Sequence, residues 1–163
     1  MANTYTQLYI HIVFAVNGRM ALIRDDFREE LHKYITGIVT TKGHKLLAIN
    51  SVKDHIHILV GLNPKIALSD LVRDVKNNSS AFINKKGWIK GKFSWQKGFG
   101  AFSYSRSHVD AVIEYIRNQE QHHRKRTFKE EYVEFLKKFS IPFDTKYIFE
   151  DEEDWQANKM PKR

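Results

Sequence analysis

A run of nine residues, Leu8 to Val16 (LYIHIVFAV), most constrains what this chain can become. It is rich in β-branched and aromatic residues, and Gly18 stops it. Apart from His11 it is apolar on both faces, so it reads as a central strand. Lys45 to Val52 and Asp54 to Leu62 follow as an adjacent strand pair, ended by Asn63-Pro64. Phe93 to Gln96 and Ala101 to Ser105 read as two short strands around Lys97-Gly98-Phe99-Gly100. Helical spacing places Phe27, Leu31, Tyr34, Ile35 and Ile38 on one stripe of Arg24 to Lys42, with Gly43 as terminator. Ile66 to Lys86 carries a second stripe (Leu68, Leu71, Val72, Val75, Phe82, Ile83) and stops at Gly87. Ser107 fits an N-cap, with Asp110 three residues on, for a third helix running to about Gln121. Phe128 to Phe139 is a last amphipathic helix, and Glu150 to Asp154 an acidic, solvated tail. The order β-α-β-β-α-β-β-α-α predicts a ferredoxin-like α+β sandwich, an antiparallel sheet of about five strands with helices packed on it.

The 163 residues suffice for one domain with a core that needs no covalent staples. Cysteine is absent, which excludes disulfides, thiolate catalysis, zinc fingers and iron–sulfur ligation. No apolar run approaches the roughly 18 residues that span a bilayer. Met1 to Gln7 has neither the basic start nor the apolar core of a signal peptide, so a cytoplasmic protein is expected. Lys and Arg number 27 against 19 Asp and Glu, a net charge of +8. Such an excess points to a polyanion, either nucleic acid or an acidic membrane face. Most of it lies between Lys85 and Arg126, interleaved with Trp88, Phe93, Trp95, Phe99, Phe102 and Tyr104. Basic groups track phosphates, and aromatic faces stack unpaired bases. Lys76, Lys85, Lys86, Lys97, Arg106, Arg124, Lys125 and Arg126 are the candidate phosphate contacts, DNA-binding residues if the polyanion is DNA. His122-His123-Arg124-Lys125-Arg126 is the strongest of these stretches, with a helix-dipole complement as its alternative.

Asp54-His55-Ile56-His57-Ile58-Leu59-Val60 carries the most chemical information. Side chains on a strand alternate. His55 and His57 therefore share one face, and Ile56, Ile58 and Val60 the other. Two neighbouring imidazoles either bind one divalent ion or sit hydrogen-bonded and inert. On the third helix, Val109, Val112, Ile113 and Ile116 form the core stripe. Tyr115 and Gln119 lie together beside it, one turn apart. Helix geometry alone would make Tyr115 a packing residue. His11, on the neighbouring strand, reads as a satisfied core residue or as a support for the His pair. His108 and His122 read as solvated flank residues or modulators.

These residues, taken together, resemble the single-tyrosine HUH transposases of the insertion-sequence-200-like family, including relatives acting on repeated extragenic palindromes. His55-Ile56-His57 matches the His-hydrophobic-His motif of that family. Tyr115 with Gln119 matches its nucleophile and third metal ligand. Trp95 to Ser105 resembles the strands before the tyrosine helix, and Leu71 to Asn84 the intervening helix. The similarity spans about residues 5 to 125. It implies a transposase domain over residues 1–140, leaving 141–163 as a C-terminal extension with the acidic tail. It implies metal-assisted transesterification of single-stranded DNA, with Tyr115 catalytic and a divalent ion on His55, His57 and Gln119. Tyr115 would hold a 5′-phosphate and release a 3′-hydroxyl, so rejoining needs no ATP. Mg²⁺ is the expected cellular ion, and Mn²⁺ should bind more tightly to imidazole. The resemblance further implies a DNA-hairpin substrate and a homodimer with shared active sites. Two alternatives stand beside it: a catalytically idle hairpin-binding module, and a metal-dependent phosphodiesterase that uses water.

Overall fold

The computed structural model describes residues 3–120, 127–144 and 148. Strands β1 (Tyr9–Ala15), β2 (Lys45–Ser51), β3 (His55–Gly61) and β4 (Gly100–Tyr104) form one antiparallel sheet in the order β2-β3-β1-β4. Helices α1 (Asp25–Thr41) and α2 (Leu68–Lys86) connect them in the βαββαβ order. Two more, α3 (Val109–Arg117) and α4 (Phe128–Lys138), follow the last strand. The α+β sandwich is as expected, with four strands in place of about five. Phe93 to Gln96 is the segment that departs: it meets the end of β1 through an isolated bridge between Trp95 and Val16, with the Gln96 N–H donating to the Ala15 carbonyl at 2.9 Å and the Asn17 N–H to the Ser94 carbonyl at 3.0 Å. Side chains take over at its start: Asn84 accepts from the Phe93 N–H and donates to its carbonyl, and the Trp95 indole donates to Ser79 Oγ at 2.8 Å. The backbone is thus satisfied without a full strand ladder.

Both faces of the sheet are covered, as the doubly apolar β1 requires. On one face Ile12, Phe14, Ile56, Ile58 and Val60 pack against Phe27, Leu31 and Ile35 of α1 and Leu71, Val72 and Val75 of α2. All are essentially inaccessible, and each large aliphatic contributes about 1.5–3 kcal/mol by leaving water. Gly87 ends α2 in the left-handed region, φ 66°, which glycine adopts without steric penalty.

The other face receives α3 and α4. Ala48 and Leu59 meet Val109, Val112 and Ile116 of α3. Phe102 stacks on Phe135 and Phe139 of α4. Tyr132 presses so closely on Gly100 that a Cβ there would lie 2.8 Å from its ring. The helix start also differs from expectation. Ser107 sits inside a 3-10 turn (Arg106–His108), bonded to Ser105 Oγ at 2.9 Å, and supplies no cap to α3. The helix ends at Arg117, short of Gln121, because Asn118 leaves helical geometry; Gln119 lies just beyond.

A bulge in β2 sets what faces the histidines. Leu46 pairs with Val60, but Ala48 pairs with Leu59, so Leu47 is the extra residue. Side chains alternate, so one inserted residue swaps the faces of everything after it. Asn50 consequently stands opposite His57, and Ile49 turns into the hydrocarbon face.

Candidate active site

The alternation of β3 sends His55 and His57 to the face under α3 and α4, and both are fully buried. Each ring is held from behind. His55 Nδ1 donates to Asp54 Oδ1 at 2.7 Å, leaving Nε2 to face inward. His57 Nδ1 lies 2.8 Å from His11 Nε2. That contact follows from register: Val13 pairs with His57, which places His11 diagonally across on the same face. Burial, and the neighbouring His57, hold the His11 pKa well below its ordinary value, although Glu131 opposes the shift. Phe128 stacks on His55 with ring centres 4.1 Å apart.

Tyr115 comes to the same place. Its ring centre is 6.0 Å from that of His57 and 5.6 Å from that of Phe135, both edge-on. Its hydroxyl is buried. Asn50 fixes the helix that carries it, donating to the carbonyls of Ile116 at 2.9 Å and Arg117 at 3.1 Å. Arg28 ties the segment just past that helix to β2, donating to the Ser51 carbonyl at 3.2 Å and to Glu120 at 2.9 Å. Gln119 is also buried, and its amide donates to the Tyr115 carbonyl at 3.2 Å. A cavity of about 270 Å³ opens beside Tyr115 between α3 and α4, lined by Tyr104, His108, Val112, Glu131, Phe135 and Lys138 among others.

Glu131 is the residue that sequence reasoning missed. It is 2% exposed, and its Oε1 lies 3.1 Å from His57 Nε2. Its signal was present: Phe128, Glu131, Tyr132, Phe135 and Leu136 share one stripe of α4, and a carboxylate does not belong in an apolar stripe without a partner. One ligand atom from each of His55, His57 and Glu131 can be chosen so that all lie within 4.8 Å of one another. Ligands about 2.1 Å from one ion span at most roughly 4 Å, so little adjustment would bring the three onto a divalent cation. Two imidazole nitrogens and a carboxylate oxygen suit such an ion.

The expected DNA contacts scatter. Lys76 is spent internally: its ammonium donates to the Gln96 and Gly98 carbonyls at 2.8 and 2.6 Å, and burial lowers its pKa to about 8. Lys85 and Lys86 end α2, in the layer away from Tyr115. Lys97 is exposed in the loop before β4. Arg106 stands on the turn into α3, 3.9 Å from Asp110. Arg124, Lys125, Arg126 and His122 lie outside the described residues, as does the acidic tail. His108 is held by Ser105 Oγ at 2.8 Å on the cavity wall.

The family described as "Transposase IS200 like" matches residues 4–119. The ISDra2 transposase TnpA of Deinococcus radiodurans is 22% identical over 118 residues, covering 69% of this chain and 84% of that protein. The IS200 transposase of Salmonella typhimurium is 24% identical over 124 residues, 73% of this chain and 81% of that one. Among solved structures, one provisionally assigned as a transposase of D. radiodurans superposes with TM-score 0.59 at 22% identity, over 73% of this chain and 95% of the other. A REP-associated tyrosine transposase bound to a REP hairpin gives 0.56 at 15% identity, over 76% and 73%. With the family spanning the sheet, the histidine pair and the tyrosine helix together, this chain belongs to the IS200-like transposases.

Proposed function

We propose that the chain cleaves and rejoins single-stranded DNA by transesterification, with Tyr115 as nucleophile. The observation that carries this reading is the meeting of Tyr115 with His57, ring centres 6.0 Å apart, at a buried His55–His57–Glu131 donor set. A divalent ion held by these residues, with Gln119 as the further ligand the family resemblance implies, supplies charge neutralisation at the scissile phosphate. Mg²⁺ is the proposed cellular ion and Mn²⁺ the tighter one. Asp54 and His11 keep the two rings from rotating. Asn50 and Arg28 keep the helix end in place, so that Tyr115 meets the phosphate in one orientation. The phenol oxygen bonds to phosphorus, the bond to the 3′-oxygen breaks, and that oxygen ends with the phenol's proton. The strand is left as a 5′-phosphotyrosine and a 3′-hydroxyl, and reversal against another 3′-end rejoins it. Lys138 and His108 on the cavity wall, with Arg106 and Lys97 nearer solvent, are the described groups that can face the backbone.

A DNA hairpin is the proposed substrate, supported by the hairpin bound to the REP-associated structural neighbour. The resemblance implies a homodimer with shared sites. Because Tyr115 reaches His57 inside one chain, we assign the described site to a single copy. Mixing the Tyr115→Phe and His57→Ala variants tests this: restored cleavage would show a shared site, and continued inactivity supports assembly within one chain.

The decisive experiment incubates the protein with Mn²⁺ and a single-stranded oligonucleotide containing a foldback hairpin, then seeks a denaturant-resistant adduct. The reading expects one from the wild type and none from Tyr115→Phe. Cleavage surviving that substitution would favour attack by water. Binding of the correct target without cleavage would leave an idle hairpin-binding module.

A further inference from the structure

The cavity beside Tyr115 has an apolar interior and a polar rim. Val112 and Ala111 of α3 and Phe135 of α4 line it, together with Tyr115 itself. Phe135 is fixed in place: it stacks on Phe102 with ring centres 5.2 Å apart and meets Tyr115 edge-on at 5.6 Å. His108, Glu134 and Lys138 also line the cavity and are exposed, so they stand at its mouth. His108 is held by Ser105 Oγ at 2.8 Å. Glu134 and Lys138 are one turn apart on α4 and so share a face. The Lys138 ammonium lies 5.8 Å from the ring centre of Tyr104 and 5.7 Å from that of Phe139, a cation held over aromatic faces.

The volume, about 270 Å³, falls just short of the roughly 300–1,000 Å³ of sites for drug-sized ligands. One planar ring system fits such a space. A base drawn out of its stack needs apolar and aromatic walls in place of its lost neighbours, and these walls supply them. The strand that brings a phosphate to Tyr115 carries the adjoining base to the same place. The rim separates a base from a backbone phosphate. Lys138 alone would suit either, but the Glu134 carboxylate repels a phosphate, whereas a base edge offers N–H donors to it as well as acceptors to the ammonium.

We propose that this cavity seats one unpaired base of the substrate strand, next to the scissile phosphate, and that Glu134 and Lys138 make guanine the preferred one. Guanine N1–H and N2–H, side by side, donate to the carboxylate, while Lys138 donates to O6 and N7. No other base sets two donor nitrogens next to each other. A seated base fixes the phosphate beside it relative to the Tyr115 phenol, so specificity and alignment come from one contact. The proposal rests on the reading of Tyr115 as nucleophile.

The test uses the full chain and two readouts. In methyl NMR, titration with dGMP should move the Ala111 and Val112 resonances saturably, with an affinity at least about fivefold above that for dAMP, dCMP or dTMP. Glu134→Gln and Lys138→Ala should each erode that preference. Ala111→Phe, which fills the cavity from the exposed side of α3, should abolish binding of all four. In the adduct assay, a hairpin oligonucleotide with a randomised single-stranded flank should give wild-type products enriched in guanine at one position beside the cleaved phosphate, and Lys138→Ala products without that enrichment. Methyl resonances that stay put with all four nucleotides overturn the seat, whatever the adduct assay gives. Adducts with no base preference beside the cleaved phosphate overturn it too, and leave the transesterification reading standing. So does a preference that survives in a folded Ala111→Phe chain; should that variant not fold, the two rim variants decide. A wild type that forms no adduct with any member of the pool takes down the transesterification reading and the seat together.

Discussion

The two faces of the sheet are equally buried and chemically opposite. Under α1 and α2, β3 presents Ile56, Ile58 and Val60; one residue out of phase, it presents His55 and His57 to α3 and α4. The first face is hydrocarbon, and the hydrophobic effect needs no exact partner to act. The second carries imidazoles, a carboxylate, a carboxamide and a phenol, each of which needs a specific neighbour. Stability and chemistry are thereby separated by the alternation of a single strand.

Substitutions on the chemical face should remove activity and leave the fold. The largest effect is expected from Tyr115→Phe: complete loss of the covalent adduct on denaturing gels, with the unfolding midpoint nearly unchanged. His57→Ala should abolish cleavage while DNA affinity in a binding titration stays close to wild type; a collapse in affinity would mean the ring contacts DNA or holds the fold. One residue along, Ile58→Ala should do the converse. It should cost about 2–5 kcal/mol in chemical denaturation and leave the adduct chemistry intact under conditions where the protein is folded.

A polar group on the hydrocarbon face sharpens the contrast. His32 of α1 bonds to Ser51 Oγ at 2.7 Å, and burial, helped by Arg28, lowers its pKa from 6.5 to about 4. As pH falls below 6.5 the unfolded chain takes up this proton before the folded one does. The contribution is therefore complete above pH 6.5 and eroded progressively down to about pH 4. At about 1.4 kcal/mol per pH unit, the loss approaches roughly 3 kcal/mol. Urea titrations between pH 7 and 4 should show this acid loss reduced in His32→Gln. The smallest effect is expected from Glu131→Gln. Without metal it should keep the melting temperature within a few degrees of wild type. It should also lose most of the rise that Mn²⁺ produces in wild type.

The sequence made most of the hydrocarbon face legible, because periodicity reports burial, although Tyr34 of the expected α1 stripe is 36% exposed and Val39, outside it, is buried. The alternation of β3 put His55 and His57 on one face, whereas Tyr115 read as packing on helix geometry and stood out only through the family resemblance. Glu131 is hidden because a single carboxylate leaves the amphipathic pattern of α4 intact, and only its neighbours on the sheet show why it is buried. The segment Phe93 to Gln96 carries strand-forming residues, yet its pairing with the end of β1 stops at Ser94 and Gln96, because the Asn84 side chain takes both backbone groups of Phe93. Asn50 was illegible for a different reason: its facing depends on the bulge at Leu47, and register is a property of two strands.

The Asn50 clasp has a mechanical corollary. It grips α3 at its last two carbonyls, so tilting of the helix is hinged there. Tyr115 is two residues from the hinge and Val109 eight, about 3 Å and about 12 Å along the axis. Any swing moves the upstream end roughly four times as far as the phenol. The mouth of the cavity can thus open while the Tyr115 hydroxyl stays close to its place.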